Sequence, residues 1–286
     1  MQAFDYDQAF SRNVGWVTEE EQRRLRTARV AIAGLGGVGG FHLLTLARLG
    51  IGRFNISDLD VFEAANFNRQ AGASQATVGR TKVEVLAEMA RDINPECDLA
   101  LYPDGVNENN LEAFFAGVDL YVDGLDFFAF AARERVFAHC AERGIPAITV
   151  APLGMSAALL NFLPGSMSFE DYFQVAGRPD LEKAIRFLVG LAPALLHRTY
   201  LADRTRVDLK ARKGPSTPMA CMLCAGVAGS EALKILLQRG KVLAAPHGVQ
   251  FDGYRNKLAR TWRPGGNRNP LNRLAIAIAR QQLGIK

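Results

Sequence analysis

Long uncharged apolar runs, internal repeats and low-complexity tracts are all absent from this 286-residue sequence. Its longest apolar stretches are broken by Pro152, Pro164 or Pro193, whereas a membrane-spanning helix needs about 20 apolar residues in succession. Basic residues are missing from the N-terminus, where Asp5 and Asp7 replace the basic segment of a secretory signal. These absences predict a cytoplasmic protein without a membrane span. With 49% hydrophobic residues, the chain can bury the core of one or two domains.

Cysteine is scarce, with four residues in the whole sequence. Cys97 falls in a predicted strand and Cys140 on the apolar face of a predicted helix, where a thiol is ordinarily buried. Cys221 and Cys224 form the sequence C-M-L-C directly before a helix predicted over Ala225 to Leu237. We interpret the pair as packing residues. A reactive thiol, suited to thioester or persulfide transfer, stays open because a helix N-terminus lowers the pKa of a thiol.

Acidic residues are missing from the C-terminal segment. Gly253 to Lys286 contains eight Lys or Arg residues and no Asp or Glu, which leaves 26 basic against 29 acidic residues elsewhere. Within it, Pro270 to Lys286 has apolar residues at helical spacing. This basic helix is expected to pack on its own domain or on a dimer mate, and RNA, an acidic partner or a membrane surface are the functional alternatives.

The sequence does contain a glycine-rich loop between an apolar strand and a helix. The strand is predicted over Arg29 to Ala33 and the helix over Phe41 to Leu49, and the loop glycines are Gly34, Gly36, Gly37 and Gly39. Glycines here allow a tight turn and close approach of backbone N–H groups to a phosphate. A second strand, Phe54 to Ile56, precedes Asp58, whose carboxylate can accept hydrogen bonds from ribose hydroxyls. Together they predict a nucleotide site.

A polar cluster and a lysine indicate which nucleotide chemistry follows. The cluster consists of Asn66, Asn68, Arg69 and Gln70, and Lys82 lies 13 residues after Arg69. A redox dinucleotide needs little positive charge beyond its pyrophosphate, whereas a triphosphate attacked at its α-phosphorus needs more. Arginine supplies a bidentate fork and lysine a point charge. ATP is therefore predicted, and an NAD(P)-dependent oxidoreductase using the same glycines and Asp58 is the alternative from another class.

These motifs resemble the ThiF/MoeB/HesA family of adenylyltransferases, which is related to ubiquitin-activating enzymes. The resemblance covers residues from about 10 to 162 and returns at 225 to 237. It implies that the glycine loop holds ATP, with Gly37 the nearest match, and that ribose lies on Asp58, with Asp60 in the same D-x-D pattern. It also assigns the signature S/T-N-x-x-R-Q to Asn66, Arg69 and Gln70, and the phosphate lysine to Lys82.

The resemblance implies further features away from the loop. Asp126 would bind Mg²⁺ or orient the phosphates, although the asparagine that usually follows it is Phe127 here. Arg12 would reach across a dimer interface to complete the neighbour's site, which implies a homodimer. Relatives often bind structural Zn²⁺ through two C-x-x-C pairs. This chain has only one such pair, Cys221 and Cys224, so a Zn²⁺ site would need His197 or His247 to complete it.

We predict a Rossmann-like, doubly wound α/β fold with a mainly parallel sheet, a crossover loop and a C-terminal antiparallel portion. The expected regions are an adenylation region (1–165), a crossover segment facing the substrate (166–218), a return of the adenylation domain (219–263) and a basic C-terminal helix (264–286).

The predicted reaction is ATP-dependent activation of a carboxylate as an acyl-adenylate, with release of pyrophosphate. The carboxylate would belong to a small ubiquitin-like or sulfur-carrier protein, a peptide or a small acid. Three alternatives stay open: a dehydratase of the same family that activates a carboxylate on a tRNA nucleoside, the NAD(P)-dependent oxidoreductase, and a non-catalytic scaffold.

Overall fold

A computed structural model describes residues 3–285 and divides them into two compact units. The first unit contains residues 3–125 and 225–242, and the second contains residues 126–224 and 243–285. Each unit combines helices with part of a β-sheet. Short 3-10 turns join several of these elements, at Ser11–Asn13, Ala64–Asn66, Leu196–Tyr200, Arg204–Arg206 and Gly266–Arg268.

The first unit is built on four parallel strands. They are β1 (Arg29–Ala33), β2 (Arg53–Ser57), β3 (Asp98–Tyr102) and β4 (Leu120–Asp123), in the order β3-β2-β1-β4. Its helices are α1 (Tyr6–Ala9), α2 (Glu19–Thr27), α3 (Gly39–Arg48), α4 (Lys82–Ile93) and α5 (Leu111–Phe114). Strands β1 and β4 are almost wholly apolar and buried, as expected for parallel strands covered on both faces. Parallel pairing brings the carboxyl ends of β1, β2 and β4 to one edge, where the glycine loop begins.

The second unit is built on four antiparallel strands. They are β5 (Ala147–Leu153), β6 (Ser156–Phe162), β7 (His247–Asp252) and β8 (Lys257–Trp262), each paired with the next. Its helices are α6 (Phe130–Arg143), α7 (Phe169–Phe173), α8 (Asp180–Leu191) and α10 (Pro270–Gln282). The long helix α9 (Pro218–Leu237) begins in this unit and continues in the first. Aromatic rings from α6, β6, α7 and α8 form much of the core.

The predicted fold class is confirmed: the protein is mixed α/β, with parallel strands followed by antiparallel ones. The strand predicted over Arg29 to Ala33 has the predicted bounds. The start predicted for the penultimate helix is wrong, because α9 begins at Pro218 instead of Ala225. Proline is favoured in the first helical turn, where its missing N–H costs no hydrogen bond. Lys286, the last residue of the predicted C-terminal helix, lies outside the described residues.

Helix α9 is the one helix among residues 3–285 that is long and apolar enough to cross a membrane. Half of its most apolar window is buried inside the protein. The helix also carries Glu231 and Lys234, which form an ion pair at 2.5 Å.

Candidate functional site

Two of the loop glycines are required by packing. Gly34 directly follows β1 with a positive φ of 83°, and its N–H donates to the carbonyl oxygen of Ser57 at 2.7 Å. A Cβ atom on Gly34 would lie 2.3 Å from the carbonyl oxygen of Gly124. A Cβ atom on Gly39 would lie 1.8 Å from the carbonyl oxygen of Gly34. The loop therefore folds tightly against the end of β4.

Gly36 is a different kind of position, because a Cβ atom there would make only an ordinary van der Waals contact with the described residues. The nearest atom to a Cβ there would be the side-chain nitrogen of Gln70, at 3.8 Å. The next helix, α3, starts after Val38, which makes no side-chain hydrogen bond to the first turn. Of its first N–H groups, that of Gly40 makes a long bond of 3.4 Å to the Gly36 carbonyl oxygen, and Val38 caps none of the others, so this turn can present N–H groups to an anion. The loop presents open space and backbone donors in the same place.

Asp58 connects the loop to the carboxyl end of β2. One oxygen of its carboxylate accepts a hydrogen bond from the Leu35 N–H at 2.6 Å, and the other accepts from the Asp60 N–H at 2.9 Å. Burial raises the pKa of Asp58, while the nearby ammonium of Lys82 and the two backbone donors lower it. The carboxylate is thus fixed beside the glycine loop, and its remaining lone pairs can accept hydrogen bonds from a ligand.

Lys82 is the first residue of α4 and is nearly buried, at 5% exposure. Its Nζ atom lies 2.8 Å from a carboxylate oxygen of Asp60 and 3.8 Å from one of Asp58. Its backbone N–H also donates to the carbonyl oxygen of Asp60 at 3.0 Å. The structure brings the glycine loop, both acids and the lysine together. The ammonium is paired with carboxylates and can exchange one of them for a phosphate oxygen.

The polar cluster forms a short turn between β2 and α4. The amide oxygen of Asn66 accepts a hydrogen bond from the Glu63 N–H at 3.0 Å, so this side chain stabilises the 3-10 turn. Arg69 is half-buried, and its Nη1 donates to the carbonyl oxygen of Ala65 at 3.0 Å and to Asn68 at 2.9 Å. These bonds occupy one end of the guanidinium and hold the side chain in a defined orientation.

Two buried polar atoms of this region have no hydrogen-bond partner among residues 3–285. They are the side-chain oxygen of Gln70 and the hydroxyl of Thr81, the residue that precedes α4. A buried polar group without a partner is costly, so such atoms point to a ligand or bound water. Together with the open space at Gly36, they fit a nucleotide whose phosphates lie at the start of α3.

Arg12 lies elsewhere in the first unit. It is exposed on the 3-10 turn Ser11–Asn13 and lines a cavity of about 650 Å³ with Leu44, Arg48, Met89 and Asp92. These neighbours come from the C-terminal parts of α3 and α4, whereas the loop and Lys82 lie at their N-termini. At 1.5 Å per residue, the two ends of α3 are roughly 14 Å apart. Arg12 therefore does not contact its own glycine loop.

Asp126 belongs to the second unit, where it begins the turn before α6. It is exposed, and its carboxylate accepts a hydrogen bond from the Phe128 N–H at 2.9 Å. Phe127 points into an aromatic cluster, with its ring 5.3 Å from that of Phe187. The departure from asparagine at this position therefore has a packing role.

Arg133 is a residue that the sequence analysis missed. Its guanidinium is buried, stacks over the Phe187 ring at 4.6 Å and donates to the carbonyl oxygens of Asp126 and Phe127 at 3.0 and 3.2 Å. It fixes the turn that carries Asp126. Its spacing in the sequence gives no signal, because the partner ring lies 54 residues away.

The structure argues against two alternatives for the cysteine pair. Cys221 and Cys224 lie inside α9 and are fully buried, and burial raises the pKa of Cys224 well above its usual value. A raised pKa is the opposite of what a reactive thiol requires. Among residues 3–285, no group of three or more His, Cys, Asp or Glu side chains could hold a metal ion, so neither His197 nor His247 completes a Zn²⁺ site. Both cysteines pack in the core.

Comparison with known proteins identifies the family. The ThiF family matches residues 10–273, and the chain belongs to this family. The predicted resemblance is thereby confirmed.

Named relatives cover part of the chain. It is 33% identical over 151 residues to the tRNA threonylcarbamoyladenosine dehydratase of Haemophilus influenzae, a match that covers 52% of this chain and 57% of that protein. It is 28% identical over 234 residues to the probable adenylyltransferase/sulfurtransferase MoeZ of Mycobacterium tuberculosis, covering 69% and 57%. The chain thus spans little more than half the length of these relatives. The crystal structure of Escherichia coli MccB with ATP shares the fold, with a TM-score of 0.63 at 21% identity over 84% of this chain and 65% of that chain.

Proposed function

We propose that this protein uses ATP to adenylate a carboxylate, forming an acyl-adenylate and pyrophosphate. The observation that carries the proposal is the arrangement of the glycine loop, Asp58, Asp60 and Lys82 around open space at the start of α3. A dinucleotide site needs the loop and one acid, whereas this site adds a lysine and an arginine. Membership of the ThiF family and the MccB–ATP structure support the choice of ATP.

Each residue is given a role that its surroundings permit. The loop N–H groups bind phosphate oxygens, and Asp58 accepts hydrogen bonds from ribose. Lys82 leaves Asp60 to neutralise the triphosphate, and Arg69 stabilises the charge that develops as the carboxylate attacks the α-phosphorus. Asp126 would hold Mg²⁺, which supplies additional positive charge to the phosphates. No thiol is needed for this step.

The segment 166–218 is proposed to be the crossover segment that faces the substrate. This segment contains α7, α8 and a largely exposed stretch from 202 to 217, with Thr217 tied to the Gly154 carbonyl oxygen at 2.7 Å. Such a stretch fixed at its end is suited to cover an extended substrate. We place the reaction in the cytoplasm, because none of the four cysteines forms a disulfide among residues 3–285.

The test is exchange of labelled pyrophosphate into ATP with three classes of carboxylate. These are a sulfur-carrier protein, a free peptide and tRNA bearing a carboxylate nucleoside. Replacing Arg69 with alanine should reduce exchange about 100-fold, because a charged donor to the transition state is lost. The matched control is Arg53→Ala, at an exposed position at the start of β2. Full exchange by the Arg69 variant would refute its role, and no exchange with any class by an ATP-binding protein would refute adenylation.

A second candidate function is dehydration of a tRNA nucleoside through its activated carboxylate. The similarity to the dehydratase of Haemophilus influenzae favours it. The segment Asn66 to Gln70 contains N-x-N-R-Q, and the buried thiols of Cys221 and Cys224 exclude covalent transfer through either residue in this conformation. If this second candidate is correct, the modified tRNA should be the one carboxylate of the three classes that supports pyrophosphate exchange.

We propose further that the active unit is a homodimer in which Arg12 completes the neighbour's site. Its position at the far ends of α3 and α4 supports this, since it cannot serve its own loop without a large movement. The exposed guanidinium on a cavity wall is available to a second subunit.

A further inference from the structure

A tryptophan projects into solvent from a fixed turn of the first unit. Trp16 is 84% exposed. Its turn is held by backbone hydrogen bonds, in which the Gly15 N–H donates to the Val17 carbonyl oxygen at 2.9 Å and the Trp16 N–H donates to that of Asn13 at 3.0 Å. The carbonyl oxygen of Trp16 also accepts a hydrogen bond from the guanidinium of Arg239 at 2.8 Å. An exposed indole on a fixed backbone is suited to anchor an interface, where tryptophan is enriched.

The cavity that Arg12 lines adjoins this turn, because Asn13 forms part of its wall. The cavity has a volume of about 650 Å³, within the range of pockets that hold ligands. Most of its wall is apolar, formed by Ala9, Phe10, Leu44, Met89 and Ile93. Arg48 and Asp92 also line it, and neither forms an ion pair within the part of the chain that the structure describes. An apolar wall with a carboxylate and a guanidinium suits an aromatic ring that carries an N–H donor.

A second copy of this chain fits both features at once. The indole and the cavity belong to the same unit and to one short segment, so a two-fold axis between them would place each indole in the other copy's cavity. A small aromatic ligand would fill the cavity but leave the indole in solvent. We propose that Trp16 of each subunit inserts into the cavity of its partner, with its N–H donating to Asp92. This contact rests on the homodimer of the proposed function and specifies its interface.

The contact agrees with the role proposed for Arg12. Four residues of chain lead from Arg12 to Trp16 and span at most about 14 Å. The cavity lies at the C-terminal end of α3, roughly 14 Å from the glycine loop at its other end. An indole seated in the partner's cavity therefore brings Arg12 of the same subunit within reach of the partner's glycine loop.

The first test uses the tryptophan content, since the chain contains only Trp16 and Trp262. In a Trp262→Phe protein, Trp16 is the one remaining indole. Its fluorescence is recorded without ATP over a dilution series that crosses the dimer Kd measured by sedimentation equilibrium. The emission maximum should lie at the short wavelength of a buried indole in the dimer. It should move to the long wavelength of an exposed indole as the monomer forms.

The second test measures the dimer Kd of variants by sedimentation equilibrium. Trp16→Ala should raise the Kd about 100-fold, because each subunit loses an anchor residue. Ala9→Phe, at an exposed position of the cavity wall, should also raise it, because the added ring takes the space of the indole. The matched control is Trp262→Ala. This residue is 61% exposed in the second unit, and its replacement should leave the Kd unchanged.

Three results would overturn the proposed contact. They are a monomeric unmodified protein, a dimer whose Kd is unchanged in Trp16→Ala, and a dimer in which Trp16 keeps the emission of an exposed indole. Pyrophosphate exchange is measured on the same samples. Dimerisation through Trp16 without exchange would refute adenylation and retain the contact, whereas exchange by a dimer with an exposed Trp16 would refute the contact alone.

Discussion

At the residue scale, the loop positions are glycine for different physical reasons. Gly34 and Gly39 approach other backbone atoms so closely that no side chain fits. Gly36 meets no such restriction, and its φ is not in the left-handed region. The absence of a side chain at Gly36 therefore serves something outside the protein, which we take to be a phosphate.

This distinction gives a prediction that separates binding from folding. Replacing Gly36 with alanine should leave the Tm of the free protein unchanged or slightly higher, since the unfolded chain loses entropy. The same change should remove most of the Tm increase caused by ATP, because the methyl group occupies the phosphate space. Replacing Gly39 with alanine should instead lower the Tm of the free protein by roughly 5 °C or more, because of the clash with Gly34. Thermal melts with and without ATP measure both effects, and an unchanged ATP response in the Gly36 variant would contradict the assignment.

Charge pairing at Lys82 decides which variants are informative. The ammonium neutralises Asp58, which is largely buried, as well as Asp60. Removing it leaves a buried carboxylate without its partner, and such a loss destabilises the fold strongly. The guanidinium of Arg69 donates to the carbonyl oxygen of Ala65 and to the side-chain oxygen of Asn68, and neither acceptor is a charged group. Its replacement is therefore the cleaner probe of catalysis.

At the scale of elements, the sequence predicted those structures whose cause is local. The apolar run of β1, the acid after β2 and the glycines between strand and helix each follow from their own neighbours along the chain. These features were enough to predict the loop beside Asp58. The contact between Lys82 and Asp60 was not predictable, because it depends on how the turn from 61 to 81 folds.

Features that depend on distant segments escaped prediction. The start of α9 was predicted seven residues too late, because C-M-L-C was predicted to precede the helix, whereas both of its cysteines are buried inside the helix. The turn at Asp126 is held by Arg133 and by the ring of Phe187 on α8, a contact between elements far apart in the sequence. The pairing of β8 with β7 at the end of the sheet likewise depends on the strand order, which sequence pattern alone does not specify.

At the scale of the whole molecule, the proposed dimer makes a prediction by complementation. Arg12→Ala and Lys82→Ala proteins should each be inactive, since each lacks a cation of the composite site. When mixed and allowed to exchange subunits, each heterodimer would contain one site with both defects and one with neither. Pyrophosphate exchange should then rise toward half of the unmodified value per heterodimer. The fraction of heterodimers is measured with differently tagged subunits, and the recovered pyrophosphate exchange activity is compared with that fraction.

The proposed role of Arg12 in the neighbour's site would be contradicted by a mixture that stays inactive. Failure to recover activity despite exchange of subunits would place Arg12 in its own subunit's site or outside catalysis. Because Lys82→Ala is expected to be less stable, the experiment is performed below the Tm of that variant. A second mixture, of Arg12→Ala with Arg69→Ala, repeats the test with a variant expected to be more stable.

The most direct test of the ATP site is a comparison of ligand-induced stabilisation by ATP with Mg²⁺ and by NAD. A ligand at about 100 times its Kd stabilises the folded state by about 2.7 kcal/mol. For a protein of this size, that corresponds to a Tm increase of roughly 5 °C or more. We predict such an increase with ATP, a much smaller one with NAD, and loss of the ATP effect in Gly36→Ala. An equal or larger increase with NAD would contradict the ATP site and favour an oxidoreductase.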